Sequence, residues 1–380
     1  MSKSYYSLGL MSGTSMDGVD ASIIQTDGKS KYKAIFDKYF EYPKDIYQNL
    51  TKLRDKIKRS KDLKKFEKKI KSIEKDLTLF HAKAANEIIK KNKVNVDFIG
   101  FHGQTIYHNA NEKISKQLGD GKLLSKLTKK TVVYNFRKND LKKGGRGAPL
   151  TPIFHKLLKT KFKIKYAAFV NIGGIVNVTF FNDIHPMSGM DIGPGMCLID
   201  QWIRQNSKKK YDQNGIIAQS GKVNKIVSDQ LVWDFINKEY VLCGDPHTFY
   251  DEDTVQSFDV KDFDLSFVKD LSLEDGAATL AESTASIISF IFLYTEAYEE
   301  KIILCGGGRK NNFLVERLKK KHSYPFRINL IDDYGVNGDF VESQAFAYLA
   351  IRSYLKLPIS FPFTTGVSWP CTGGKIVKNY

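Results

Sequence analysis

Two short apolar runs open the chain, at residues 5–10 and 19–24, separated by a compact polar stretch. That pattern predicts strand, tight loop, strand. A further strand is expected within residues 27–42, bounded by Gly28 and Pro43. From 44 to 92 the period changes. Leu63, Phe66, Ile70, Ile73, Leu77, Phe80, Ala84 and Ile88 step by three or four, which predicts a helix with one buried stripe. Lys and Glu fill its other positions, so the charge there is a solvated face. Apolar runs at 96–101, 131–135, 167–170, 175–181 and 301–304 predict more strands, and helices are expected at 196–205, 276–298 and 341–355.

Strands alternating with helices make this an α/β protein. Strand, glycine loop, strand occurs twice, at 5–24 and again at 167–181, once near the start of each half. A repeat of that kind predicts two similar domains facing a common cleft. The domains are expected at 1–130 and 131–355, with 356–380 packing back onto the first.

Composition narrows the picture. A chain of 380 residues, 42% of them hydrophobic, is long enough for two domains with full cores. Cys197, Cys243, Cys305 and Cys371 are far apart and form no CxxC pair, which suits a reducing compartment and suggests neither zinc nor a disulfide framework. The start of the chain has no apolar leader, and no segment reaches the roughly 18 apolar residues of a membrane span. The net charge of +17 comes from scattered lysines without a nucleic-acid-binding motif. No nucleic-acid or membrane partner is therefore expected, and the basic surface would draw in anionic substrates.

The chemistry concentrates in loops. Between the first two strands lie Ser12, Gly13, Thr14, Ser15, Met16, Asp17 and Gly18. Glycines permit close approach, and hydroxyls beside exposed N–H groups suit anionic oxygen. An ordinary turn is the alternative reading. Asn171, Gly173 and Gly174 form the second hairpin loop, and Gly306, Gly307 and Gly308 end a strand, where open α/β sheets bind ligands. No P-loop or dinucleotide-binding signature is present. Two hairpin loops could grip phosphates, with the triple glycine beneath a nucleoside and Mg²⁺ held through carboxylates and phosphates. Asp191, before Gly193-Pro194-Gly195, is the candidate base, with a helix cap as the alternative. His102 reads as a substrate contact or a structural hydrogen bond; His102 and His108 lack a third metal ligand. Arg137 and Asp140 either orient each other, bind substrate or form a structural pair. Glu342 either caps a helix dipole or points into the cleft.

The residues Gly9-Leu-Met-Ser-Gly-Thr-Ser-Met-Asp-Gly-Val-Asp20, Phe101-His-Gly-Gln-Thr105, Gln117-Leu-Gly-Asp120, Phe136-Arg137, Gly144-Gly-Arg-Gly-Ala-Pro-Leu150, Asn171-Ile-Gly-Gly174, Asp191-Ile-Gly-Pro-Gly195, Cys305-Gly-Gly-Gly308 and Glu342-Ser-Gln-Ala-Phe-Ala347 span nearly the whole chain. In this order they resemble the anhydro-N-acetylmuramic acid kinase family, within the sugar kinase/heat-shock protein 70/actin superfamily. The resemblance implies two actin-like (ribonuclease H-like) domains around a central nucleotide and sugar cleft. It implies ATP- and water-dependent conversion of 1,6-anhydro-N-acetylmuramic acid to N-acetylmuramic acid 6-phosphate, in cytoplasmic recycling of cell-wall sugars. Asp191 matches the catalytic base. Gly13, Thr14, Ser15, Met16, Asp17, Gly18, Val19, Asp20 and Gly306–Gly308 match ATP contacts, and His102, Gln104, Arg137 and Glu342 fall to the sugar. A homodimer is implied, and no residue is assigned as a direct metal ligand.

Three positions depart from the family pattern: Asn135 stands where Asp is common, Met196 where Asn is common, and Asp245-Pro246-His247-Thr248 where Pro-Pro-Lys-Ser is usual. They motivate two competing expectations, a kinase on a related sugar and a weakly active nucleotide-binding regulator. Asp191 and the three glycine sites speak against the regulator, as does the lack of a helix-turn-helix segment.

Overall fold

A computed structural model describes residues 3–183, 187–239, 258–294 and 301–380. The chain forms two compact units, Met1–Lys163 with Asp339–Tyr380, and Ile164–Gly338. The first unit opens with β1 (Tyr5–Ser12), β2 (Gly18–Thr26) and β3 (Tyr32–Glu41), an antiparallel meander. The long helical pattern that follows is three helices, α1 (Lys44–Lys56), α2 (Ser60–Lys65) and α3 (Glu67–Asn92), rather than one. It breaks at Ile57, whose backbone is extended, and at Phe66. On α3 the expected stripe is buried at Ile70, Ile73, Leu77, Ala84 and Ile88. His81 is buried among them.

The unit continues through β4 (Phe98–Asn109), β5 (Ile114–Leu118), α4 (Gly121–Thr128), β6 (Thr131–Tyr134), α5 (Arg137–Lys142) and α6 (Pro152–Phe162). β4 runs parallel to β1, and β6 parallel to β4.

The second unit repeats the plan. β7 (Ala167–Ile172), β8 (Ile175–Phe181) and β9 (Ser188–Pro194) form an antiparallel meander. After α7 (Met196–Asn206), α8 (Ile216–Ser220), α9 (Lys225–Glu239) and α10 (Leu273–Tyr294), β10 (Lys301–Cys305) adds parallel to β7. Beyond α11 (Asn312–Lys321), β11 (Ile328–Leu330) adds parallel to β10. The order β11-β10-β7-β8-β9 matches β6-β4-β1-β2-β3 strand for strand. This is the ribonuclease H-like arrangement, present twice. Val170, Ile172, Val176, Val178, Met190 and Ile192 carry one face of the second sheet into the core beneath α7 and α10.

The chain then returns to the first unit with α12 (Val341–Tyr354), α13 (Pro362–Thr365) and β12 (Lys375–Val377). β12 pairs antiparallel with β6. α12 lies on β1 and β4, seated by two glycines that are register partners, Gly9 and Gly100. A Cβ on Gly9 would stand 1.8 Å from the Ser343 carbonyl oxygen, and one on Gly100 2.1 Å from that of Phe346. Because β6 extends the first sheet and α12 covers it, residues 131–163 and 339–355 sit with the first unit, and the boundary between the units falls later than residue 130.

Among the described residues no helix is long and apolar enough to cross a membrane. The segment Asp245-Pro246-His247-Thr248 and Cys243 lie outside the described residues.

Candidate active site

In the first unit the opening loop is pinned from several sides. Met16 has φ 59°, a left-handed turn, and its N–H donates to the Gly13 carbonyl at 3.2 Å. Its side chain and that of Val19 sit in the core, so toward a ligand these two residues offer only backbone. Thr14 and Ser15 are exposed, and a Cβ on Gly13 would meet nothing closer than 4.0 Å. Gly18 has a different reason for being glycine: a Cβ there would stand 2.5 Å from both Phe40 oxygen and the Tyr39 ring. The Ser15 hydroxyl donates to Asp17 at 2.6 Å. Gln104 Nε2 donates to the Gly13 carbonyl at 2.9 Å, while its Oε1 is buried without a hydrogen-bond partner among the described residues.

Tyr42 holds both ends of this loop. Its N–H donates to Asp17 oxygen at 2.8 Å, and its hydroxyl lies 2.6 Å from Ser12 Oγ. Ser12 Oγ is in turn 3.2 Å from His81 Nε2, and His81 Nδ1 is 2.8 Å from the Leu77 carbonyl. The directions follow from chemistry. A carbonyl only accepts, so Nδ1 carries the hydrogen, Nε2 accepts from Ser12, and Ser12 accepts from Tyr42.

His102 works the same way. Its Nδ1 is 2.8 Å from the Gly103 carbonyl, and Nε2 accepts from Arg137 Nη2 at 2.9 Å. Arg137 Nη1 also donates to the Gly147 carbonyl at 2.8 Å. His102 thus has both nitrogens engaged, one of them by Arg137. The Asp140 carboxylate accepts from the Gly147 N–H at 2.5 Å and the Thr365 hydroxyl at 2.6 Å, fixing the glycine-rich loop whose carbonyl holds Arg137.

Burial pushes the carboxyl of Glu342 upward, opposed by the charge of Arg137. Asp20 is driven well above the usual carboxylate range, first by burial and then by the charges of Glu342, Asp17, Asp339 and Asp37. Glu342 stands in the first turn of α12, whose N-cap, Phe340, makes no side-chain cap bond. Asn135, with φ 57°, is in a left-handed conformation that asparagine tolerates well.

Buried neutral histidines make this unit acid-sensitive. Burial holds His81 down to about 4 and His155 to about 3, and lowers His102 well below its ordinary value. An unfolded histidine titrates near 6.5, so their contribution is fully present above pH ~6.5 and is lost as pH falls through the folded values. The unfolding free energy from urea titrations is expected to be level above pH ~7 and to fall between pH ~6.5 and 4, by up to about 1.4 kcal/mol per pH unit per histidine. His81→Gln should flatten that fall; an unchanged slope would contradict the assignment.

In the second unit Asp191 lies on β9 and is 7% exposed. Its Oδ2 accepts from the Phe258 N–H at 3.1 Å. It does not cap α7: the N-cap there is Gly195, without a side-chain bond. The cap is made by the hairpin loop instead. The carbonyls of Gly173 and Gly174 accept from Met196 N–H at 2.8 Å and Gly195 N–H at 3.0 Å. In a trans peptide C=O and N–H oppose each other, so the N–H groups of Gly174 and Ile175 face away from the helix. Met196 packs against the unit's core.

Gly306 has φ +79°, and a Cβ there would be 2.4 Å from Asn171 Oδ1; one on Gly308 would be 2.2 Å from Ile172. A Cβ on Gly307 would meet nothing within 4 Å, which leaves a flat, open strand end between two packed glycines. Arg309 braces the turn with bonds to Asp332 at 2.6 and 2.9 Å and to the Gly306 carbonyl at 2.9 Å.

Asn177, a position the sequence did not single out, belongs to the same row as Asp191 and Asn171. It lies on β8 opposite Asp191 on one side and Asn171 on the other. An asparagine inside the apolar run 175–181 was the available signal. The described residues contain no cluster of three or more His, Cys, Asp or Glu arranged to hold a metal.

A family model described as anhydro-N-acetylmuramic acid kinase matches residues 5–379. The chain is 54% identical to a Pelagibacter ubique protein of that name, over 100% of both chains. It is 36% identical to one from Zymomonas mobilis, covering 97% of this chain and 98% of that protein. A third, from Agrobacterium fabrum, is 37% identical over 98% of each.

Proposed function

The chain belongs to the anhydro-N-acetylmuramic acid kinase family, and from that membership we propose roles for its residues in the family reaction. The protein is an ATP-dependent kinase that opens the 1,6-anhydro ring of anhydro-N-acetylmuramic acid and phosphorylates O6, giving N-acetylmuramic acid 6-phosphate. The observation that carries this is correspondence over the full length at 54% identity.

Asp191 takes a proton from water as the water attacks the anomeric carbon. A buried carboxylate already fixed by a backbone N–H suits that task. As the new C1–O bond forms, the C1–O6 bond breaks through an oxocarbenium-like state. O6 then bonds to the γ-phosphorus, and ADP departs. Phosphoryl transfer asks chiefly for positioning and charge stabilisation. The open backbone of Gly307, the outward N–H groups of Gly174 and Ile175, and the loop from Gly13 to Asp20 are assigned to the nucleotide. Arg137, set by His102 and Gly147, is assigned to the sugar's carboxylate, with Glu342 and the unpartnered oxygen of Gln104 accepting from hydroxyl or amide hydrogens.

Mg²⁺ fits as a companion of the nucleotide, neutralising phosphate charge through one or two carboxylates and phosphate oxygens. Asp20, biased toward its protonated form by burial and by four neighbouring carboxylates, is the group whose charged form such a cation would favour. We assign the protein to the cytoplasm, where its ATP is supplied, and to a homodimer, both by family resemblance.

The test is to incubate the protein with ATP, Mg²⁺ and 1,6-anhydro-N-acetylmuramic acid, following ADP release and the phosphorylated product by mass. Turnover with that sugar is expected. No turnover with it, alongside turnover of another sugar, would overturn the reading.

A further inference from the structure

Asp191 is one member of a polar row. Register sets Asn177 opposite Asp191, and Asn171 opposite Asn177. Cross-strand partners share a face, with Cβ atoms about 4.5–5.5 Å apart. The row depends on an irregularity. Val176 pairs with Gly193, so a regular ladder would set Ile192 against Asn177; the register shift between Val176 and Asn177 substitutes Asp191. Bulges of this kind re-aim side chains beside functional sites.

Asn177 Oδ1 is buried and has no hydrogen-bond partner among the described residues. Leaving such an oxygen unanswered costs about 1–3 kcal/mol, so it stands out in a sheet whose other face is packed with valine and isoleucine. A water molecule that attacks carbon has two hydrogens to place. One goes to the base. Unless a second acceptor fixes the other, the molecule rotates and its lone pair is not aimed. A neutral carboxamide suits that task better than a second carboxylate, whose charge would raise the pKa of the base. Asn171 Oδ1 is likewise buried without a hydrogen-bond partner among the described residues, but it stands one strand farther from Asp191, beside Gly306, so Asn177 is the carboxamide next to the base.

We propose that Asn177 is a second acceptor for the nucleophilic water, receiving one O–H at Oδ1 while Asp191 receives the other and takes its proton. The substrate in this step rests on the family reading above. The water oxygen bonds to C1, its proton passes to Asp191, and the C1–O6 electron pair stays with O6 for transfer to phosphorus. Asn177 neither gains nor loses a proton.

Asn177→Ala tests this with a readout that a structural role would not give. Removing an unanswered buried oxygen should leave the melting temperature unchanged or raised, while kcat with the anhydro-sugar falls on the order of 10²-fold and KM for ATP stays within about twofold. Residues acting on one water are non-additive, so Asn177→Ala combined with Asp191→Asn should be no slower than Asp191→Asn alone. Wild-type-like kcat in Asn177→Ala, or losses that multiply in the double variant, would overturn the proposal. A crystal structure of the wild type supplies an arm independent of the sugar. An ordered water within hydrogen-bond distance of both Asn177 Oδ1 and Asp191 supports the proposal even if another sugar is the substrate, and its absence from a well-ordered site overturns it.

Discussion

Asp191→Asn is expected to lower kcat with the anhydro-sugar by about 10³-fold while nucleotide affinity stays within about twofold of wild type. The substitution removes charge and basicity while nearly preserving shape. Asparagine has nearly the same shape, and its Oδ1 can still accept from the Phe258 N–H as Asp191 Oδ2 does at 3.1 Å. The backbone after residue 257 therefore keeps its anchor, while the negative charge and the capacity to take a proton are lost. Steady-state ADP release and a calorimetric nucleotide titration measure the two quantities. A variant with near-normal kcat would reduce Asp191 to an anchor for that backbone.

The largest effect on stability is expected at the seat of α12. Gly9→Ala and Gly100→Ala each drive a methyl group into a helix carbonyl, at 1.8 and 2.1 Å in the unrelaxed structure. Real Cβ atoms do not approach so closely, so helix and sheet must separate where they touch. Overpacking of this kind costs about 1–3 kcal/mol, occasionally more, and backbone obstacles cannot yield by changing rotamer. For units of this size about 2–4 °C of melting temperature is lost per kcal/mol. The two positions are register partners under one helix, so the helix once displaced by the first methyl has less to lose from the second. The double variant should therefore lose less than the sum of the singles. Melting curves of the three variants check this; a melting temperature unchanged in either single variant would contradict the seat.

The periodicity of the chain made much of this legible. The apolar stripe of α3, the paired hairpins and the strand ending at Cys305 all express burial directly in spacing. What spacing conceals is longer in range. One continuous apolar period across 44–92 hides the breaks at Ile57 and Phe66, because a helix that restarts can keep facing the same core. Gly18 and Gly13 look alike in the sequence, yet one is dictated by Phe40 and Tyr39 packing and the other is open. His102 reads in the sequence as a substrate contact or a structural hydrogen bond, and only the fold shows its two nitrogens engaged by Gly103 and Arg137. Asn177 gains meaning only from the register shift that sets it against Asp191, a property of two strands that neither carries alone.

The interrupted path of the first unit has a consequence for synthesis. The second unit is continuous, from Ile164 to Gly338, whereas the first needs residues 339–380 to complete it. On the ribosome the second unit, although synthesised later, therefore has all its residues before the first unit does and finishes its fold first. Until α12 emerges, the groove floored by Gly9 and Gly100 has no helix to fill it, and the apolar strands beside it wait uncovered. Newborn chains are thus most prone to aggregation in their oldest segment, and truncation between residues 338 and 354 should strand the first unit rather than the second.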